Sequence, residues 1–590
     1  VRLTAAETVL PDSIQAVIAA RLDTLTPERR ALLQDAAVVG TVFWSGVLGA
    51  IAGRDPAATG ADLEELARRA FIREVRGTSV AGEAEYAFWH NLTREVAYGQ
   101  LPRTARVARH RAVAAWIEQV AGDRIADHAE LLAHHYGTAL ELARAARAAE
   151  DTAALHDPAR RFLVLAGDRA MTLDVARADV HYQRALGLLP ATHPERATVL
   201  EKAAEAAQQA GRATQAEQLL SEAITGFEAG GDHLGAGEAM ARQARVLWYR
   251  GETARSRRLV VSAIAMLERE PPGPGLADAY LEMGKEVWTS GRPAEALDWL
   301  QRAMDLAERA GADDIRQRAL QYRGCARDEI GDLGGLQDVR ESVELGLRLG
   351  LGRGTALAYG NLGAELFELE GPAAGMRAMQ AGLELCEQRG ITEVAHWLSV
   401  SVVECLFDLG RWDKALALAD RLLARHQDLA EAYEGVSLTA RKAHILACRG
   451  AVEEAAELER RFLPRARDIG DPQVVSNAFA IAAFLEQAGG DLDAALGLVA
   501  ELERATRDGP SCYRADPLPI VSRICLAAGV PELAEPFLAG ADAPAARYQH
   551  CRSTAGAVLA EARGDLDTAA GRYDQARSGW RGFGVVLEHA

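Results

Sequence analysis

Hydrolysis of a nucleotide by the phosphate-loop route needs a turn that wraps phosphates in backbone amides and supplies a lysine, written GxxxxGK[ST]. That pattern is absent from the 590 residues, and the Gly284-Lys285 pair falls inside a helical apolar period. The run LGLGRG at 349–354 misses the GxGxxG spacing of a dinucleotide-binding turn, and GTSVAG at 77–82 misses the nucleophile elbow by one position. His128, His134 and His135 cluster on one predicted helix but lack the i, i+4 pair and glutamate of HExxH, so no metal is expected there. The seven cysteines lie between Cys325 and Cys551 without a CxxC pair. They read as small core residues of a reducing cytoplasm, not zinc ligands or a disulfide frame. No catalytic residue and no cofactor is assigned to this chain, and the residues left to consider are ones that bind.

Their positions are set by a repeat. Gly211, Gly251, Gly291, Gly331, Gly371, Gly410, Gly450, Gly490, Gly529 and Gly564 recur about every 40 residues, each between two apolar-periodic stretches. Before Gly291 runs LADAYLEMGKEVWTS, and after it PAEALDWLQRAMDLAERA. Each unit therefore reads as helix, tight turn, helix, with the glycine in the left-handed conformation that ends a helix. A second series, Gly230, Pro271, Gly311, Gly350, Gly390 and Gly470, marks the joints between units. Met171 followed by LDVARADVHYQRALGLLP reads as a first unit whose turn glycine is lost.

Seven residues before the turn glycines stand Ala204, Ala244, Gly284, Gly324, Ala364, Val403, Ala443, Ala483, Ser522 and Ala557, nearly all small. Five residues after them stand Ala216, Ser256, Ala296, Leu336, Met376, Ala415, Ala455, Ala495, Ala534 and Ala569. This pattern resembles the tetratricopeptide repeat, stretched from that family's usual length of about 34 residues. The resemblance implies that leading helices line a concave groove and that positions three and six before each glycine face it. Those positions are Arg245 and Trp248, Lys285 and Trp288, Cys325 and Asp328, Glu365 and Glu368, Glu404 and Phe407, and His444 and Ala447. The groove is expected to be basic and aromatic at its N-terminal end and acidic in the middle. Trp248 and Trp288, with Arg245 and Lys285 beside them, are candidates to hold an anionic or extended peptide. The alternative is that both rings pack against the following helix.

The first 160 residues do not follow the period. SIQAVIAARLDTL, PERRALLQDAAVVG and ADLEELARRA read as three helices, FIREVR at 71–76 and EYAFW at 85–89 as a hairpin, and NLTREVAYGQL and RTARVARHRAVAAWIEQV as two more helices. That order is a winged-helix layout. The segments LPDSIQAVIAARLDTLTPERRALLQDAAVVGTVFW and AFWHNLTREVAYGQLPRTARVARHRAVAAWIE, followed by HAELLAHHYGTALELA, resemble the region after the nucleotide module in bacterial signal-transduction ATPases with numerous domains. That group includes cyclase-linked and maltose-activator-like regulators. The resemblance implies that His90 reaches the β-phosphate of ADP in an upstream module, with Arg94 in support, and that the repeat arm receives a protein, peptide or small-molecule signal. The other reading of His90 is that it caps the next helix. Arg103, Arg106, Arg109 and Arg111 form a basic face better explained by solvent or a neighbouring domain than by DNA.

The expected fold class is mainly α: a winged-helix domain over 1–122, a helical connector over 123–160, and a superhelix of about eleven tetratricopeptide-like repeats over 161–590. Aromatics make up 6% of the residues, which disfavours extensive sheet. The formal charge of −18 disfavours nucleic acid and anionic membranes as partners. No run approaches the roughly 18 apolar residues of a bilayer span, and the opening VRLTAAETVL lacks the apolar stretch of a signal peptide, so a cytoplasmic protein is expected. The opening valine, in what reads as a linker, suggests a piece of a longer polypeptide. Two functions follow: the regulatory and sensor half of such an ATPase, with ATP or ADP bound upstream in cis, or a free-standing scaffold for protein partners.

Overall fold

The computed structural model describes residues 12–78, 82–425 and 433–589. The opening segment and the tip of the GTSVAGE loop, both used above, lie outside them. The chain forms two compact units. One holds the described residues up to Ala170 together with Arg177–His193, the other Met171–Ala176 and everything from Pro194 onward.

In the first unit, four helices (Asp12–Asp23, Pro27–Val39, Ser45–Ala52, Pro56–Arg68) precede the hairpin. The sequence suggested three. Thr26 accepts a bond from the Arg29 amide and Asp55 one from the Ala58 amide, and each helix start carries proline at its first position, where no amide bond is lost. The hairpin strands β2 (Ile72–Glu74) and β3 (Glu85–Phe88) pair antiparallel. An earlier strand, β1 (Val42–Trp44), pairs with the other edge of β3, so the sheet order is β1-β3-β2. Three residues are too few to show a period of two, which is why sequence patterning did not reveal β1. Its Phe43 is fully buried against Tyr86 and Phe88. Helices Asn91–Gly99, Arg103–Ala121, Ala129–Ala145 and Ala149–Ala170 follow, and Val175–Leu186 ends this part.

The second unit is an α-α superhelix of tetratricopeptide-like helix pairs. All ten turn glycines have positive φ, from 68° at Gly410 to 100° at Gly371. Along the joints Gly311, Gly350, Gly390 and Gly470 do too, whereas Gly230 ends its helix and Gly231 takes the left-handed place (φ 72°). The small positions are where paired helices touch. Ala216, Ser256, Ala296, Ala415, Ala455, Ala495 and Ala534 are all buried, and a Cβ on Gly324 would stand 2.5 Å from Val339 and 2.6 Å from the Gly335 carbonyl. In two repeats the register slips by one. Helix Pro372–Arg389 starts directly after Gly371, a turn one residue shorter than that between Gly291 and Pro293. The tight contact there falls on Gly363 and Gly375 instead of Ala364 and Met376, and in the preceding repeat on Gly335 instead of Leu336.

The superhelix winds tightly enough for successive turns to touch. Gln208 donates to Glu393, 185 residues on, and Tyr513 to Glu329, 184 residues back. Helices Arg196–Gln209 and Thr392–Asp408 meet, as do Arg353–Leu369 and Ala546–Ala562. One superhelical turn thus takes about five repeats. Among the described residues no helix is long and apolar enough to cross a membrane.

Candidate functional site

In the first unit, His90 occupies the N-cap of helix Asn91–Gly99, but its side chain makes no capping bond and the residue is exposed. Trp89 beside it is 52% exposed. Arg94 turns inward, its Nε donating to the Ala37 carbonyl at 3.1 Å. The basic face is tied down within the unit: Arg109 to Asp35 at 2.5 Å, Arg106 over the Tyr98 ring, and Arg111 to Asp151 at 3.4 Å. Beneath it the Tyr98 hydroxyl meets His110 Nε2 at 3.0 Å, and His110 Nδ1 meets His135 Nδ1 at 2.9 Å. Burial depresses both imidazoles, His110 to about 3, so one neutral ring donates to the other.

The leading helices of the second unit carry ionisable side chains to its inner face. At the N-terminal end Arg245 meets Glu282 at 3.2 Å, Lys285 meets it at 2.5 Å, and Arg318 bonds both Glu282 and Asp278 at 2.6 Å. Burial opposes charge on both carboxyls, but Arg318, Arg245 and Arg242 hold Asp278 far below the usual range, and Lys285 and Arg245 lower Glu282. Arg245 and Lys285 are buried and neutralised in place. Lys285 Nζ lies 4.6 Å over the Trp248 ring, covering a face that a ligand would need. Trp248 donates to Thr289, while the half-buried Trp288 packs on the apolar core against Tyr322. The two indoles thus have different surroundings.

The middle of the inner face is acidic. Burial raises Asp328 and Glu365 and pushes Glu329 and Glu368 up to about 8; Asp328 and Glu368 add to the rise at Glu365, whereas the hydrogen bond with Glu365 lowers Asp328. Glu368 stands electrostatically against Glu329, and Asp328 against Glu365, one repeat apart.

Toward the C-terminal end the inner face opens into a cavity of about 460 Å³. Along one wall Trp412 stacks on Phe407 (centroids 6.0 Å), Phe407 meets His444 (4.8 Å), and His444 meets Phe484 (4.8 Å). Three arginines line it, each paired: Arg441 with Glu404 at 2.6 Å, Arg523 with Glu588 at 2.7 Å, and Arg547 with Asp408 at 2.6 Å. Arg441 lies 4.4 Å over Phe407, and its Nη1 donates to His444 Nδ1 at 3.0 Å. Burial holds that imidazole neutral, so its proton is on Nε2. Arg441 Nε is buried with no partner, on a residue 8% exposed. Of the groove residues expected from sequence, Phe407 and His444 lie in this wall and Glu404 pairs with Arg441. Continuing the positions three and six before the glycines also gives Phe484, Gln487 and Arg523, all lining residues, whereas Trp412, Arg441 and Arg547 lie off those positions.

No family model and no curated protein sequence matches the chain. Among solved structures, it is similar to a Signal Transduction ATPase with Numerous Domains protein with a tetratricopeptide repeat sensor from Pyrococcus horikoshii (13% identity, TM-score 0.43), covering 76% of this chain and 65% of that one. It is also similar to a Rap protein complexed with competence and sporulation factor (16% identity, TM-score 0.46, 62% of this chain and 99% of that one). A third is yeast Tom70 (15% identity, TM-score 0.33, 78% and 99%). These likenesses concern the helical-repeat fold alone.

Proposed function

We propose that the chain is the regulatory and sensor half of a bacterial signal-transduction ATPase. In this reading the first unit is a winged helix that holds an upstream nucleotide-binding module in its ADP state through His90, and the superhelix receives the signal on its inner face. The protein works in the cytoplasm, where its seven thiols stay reduced. The observation that carries the reading is the inner cavity: a space of small-molecule size, aromatic on one wall and holding an unpartnered buried guanidinium nitrogen, is more than a scaffold needs. The exposed imidazole of His90, free of a capping role, supports the other half.

The coding sequence upstream should contain a phosphate-binding loop within about 150 to 300 residues, an ordinary domain's length. In the protein that includes it, His90→Ala should weaken ADP binding and raise basal output, because it removes a contact made only in the resting state. Unchanged ADP affinity and basal output would remove the role given to His90, and a coding sequence without the loop would leave the free-standing scaffold as the better account.

A further inference from the structure

The cavity's polar groups define what can occupy it, given that the inner face is where a signal binds, the reading on which this inference rests. Each lining arginine is neutralised by a carboxylate at 2.6 to 2.7 Å. A charged ligand would have to break one of these pairs or stay uncompensated in a poorly solvated space, and both are costly. The lining also carries the Asn477 and Gln487 amides, which both donate and accept. The Nε2 proton of neutral His444 is a donor, and with the amide donors beside it gives a ligand acceptor a place to bind. The wall from Trp412 to Phe484 is a run of ring surfaces, to which flat apolar bodies fit with the most contact.

We infer that this cavity binds an uncharged, planar small molecule bearing a hydrogen-bond acceptor, its ring along the wall that ends at Phe484 and its acceptor on His444 Nε2. Ala480 and Ile520, also in the lining, supply apolar contact. The acidic middle of the superhelix and the neutralised Arg245 and Lys285 end take no part.

The test uses the chain as it stands, with two fluorescent probes of similar size: Nile red, which is uncharged, planar and carries a carbonyl acceptor, and anilinonaphthalene sulfonate, which is anionic. Nile red should bind saturably at one per chain, and the sulfonate at least ten-fold more weakly. Ile520→Trp, which fills the cavity, should weaken Nile red at least ten-fold while circular dichroism and melting stay as in the parent. Ala480→Leu, which narrows the space from another helix, is the second variant should the first misfold, and Trp288→Ala should leave binding unchanged. Equal affinity for the sulfonate, unsaturable binding, or unaltered binding in both cavity variants would overturn the inference. Because the readout needs no upstream module, it stands apart from the ADP measurement on His90→Ala, and either can fail without the other.

Discussion

Arg547 reaches Asp408, 139 residues earlier in the chain, at 2.6 Å, and also holds Asp516 at 2.8 Å. The Asp408 side chain is 6% exposed, so removing the guanidinium strands a buried charge. Arg547→Met is expected to lower unfolding free energy by about 3 to 5 kcal/mol, and adding Asp408→Asn to restore much of it, since the loss lies mostly in the unpaired charge. Urea midpoints of the two variants decide this; a loss below about 0.5 kcal/mol for Arg547→Met would mean that the pair is effectively solvated.

The turn glycines separate two costs. At Gly450 (φ 84°) a Cβ meets nothing within 4 Å, so alanine there should cost only the left-handed strain, about 1 to 2 kcal/mol. At Gly371 (φ 100°) a Cβ would lie 2.2 Å from the Phe583 carbonyl, backbone that cannot swing aside. Gly371→Ala should therefore destabilise clearly more than Gly450→Ala in matched denaturation curves. Equal effects would show that the Phe583 segment is not seated against this turn.

Acid should weaken the first unit. Burial sets His110 and His135 below their ordinary value, with Arg94 and His134 adding to it, so the unfolded chain takes up protons first as pH falls below about 6.5. Each such histidine then costs about 1.4 kcal/mol per pH unit until its folded value is reached. Unfolding free energy followed from pH 7 to pH 5 should fall with that slope, and His135→Gln should flatten it.

The acidic middle of the superhelix has the opposite sign. Glu329 and Glu368 keep their protons in the folded state up to about pH 8, while the unfolded chain releases them near 4.5. Their contribution is intact below about pH 4.5 and is lost as pH rises through 8. Glu368→Gln, which imitates the protonated form, should raise the melting temperature at pH 8.5 and change it little at pH 5. A variant no more stable than the parent at pH 8.5 would count against the buried proton.

The repeat was readable because its constraints are local: a left-handed turn demands glycine, and a tight crossing demands Ala204 or Ser256 whatever lies further off. The inner positions followed from that register until a turn lost one residue at Gly371, an offset invisible in glycine spacing alone. Trp248 and Trp288 show a different limit. Position shows which face a residue takes, but the partners that cover Arg245 and Lys285, Asp278 and Glu282, come from a register not considered. The cavity depends on Arg547 and Asp408 meeting across a superhelical turn, and no period in the sequence encodes that closure.

Solenoids whose units touch only their neighbours fray from the ends, and shortening one trims its stability by instalments. Here Gln208 is joined to Glu393, Glu329 to Tyr513, and Asp408 to Arg547. The winding behaves less like a row of dominoes than like a wall laid in bond, where each course rests on the one beneath. Deleting the last two helices would remove the support of the coil around Gly371 and Gly410, two hundred residues upstream in round terms, so melting should be a single cooperative event and truncation should be felt in the middle of the chain before its new end.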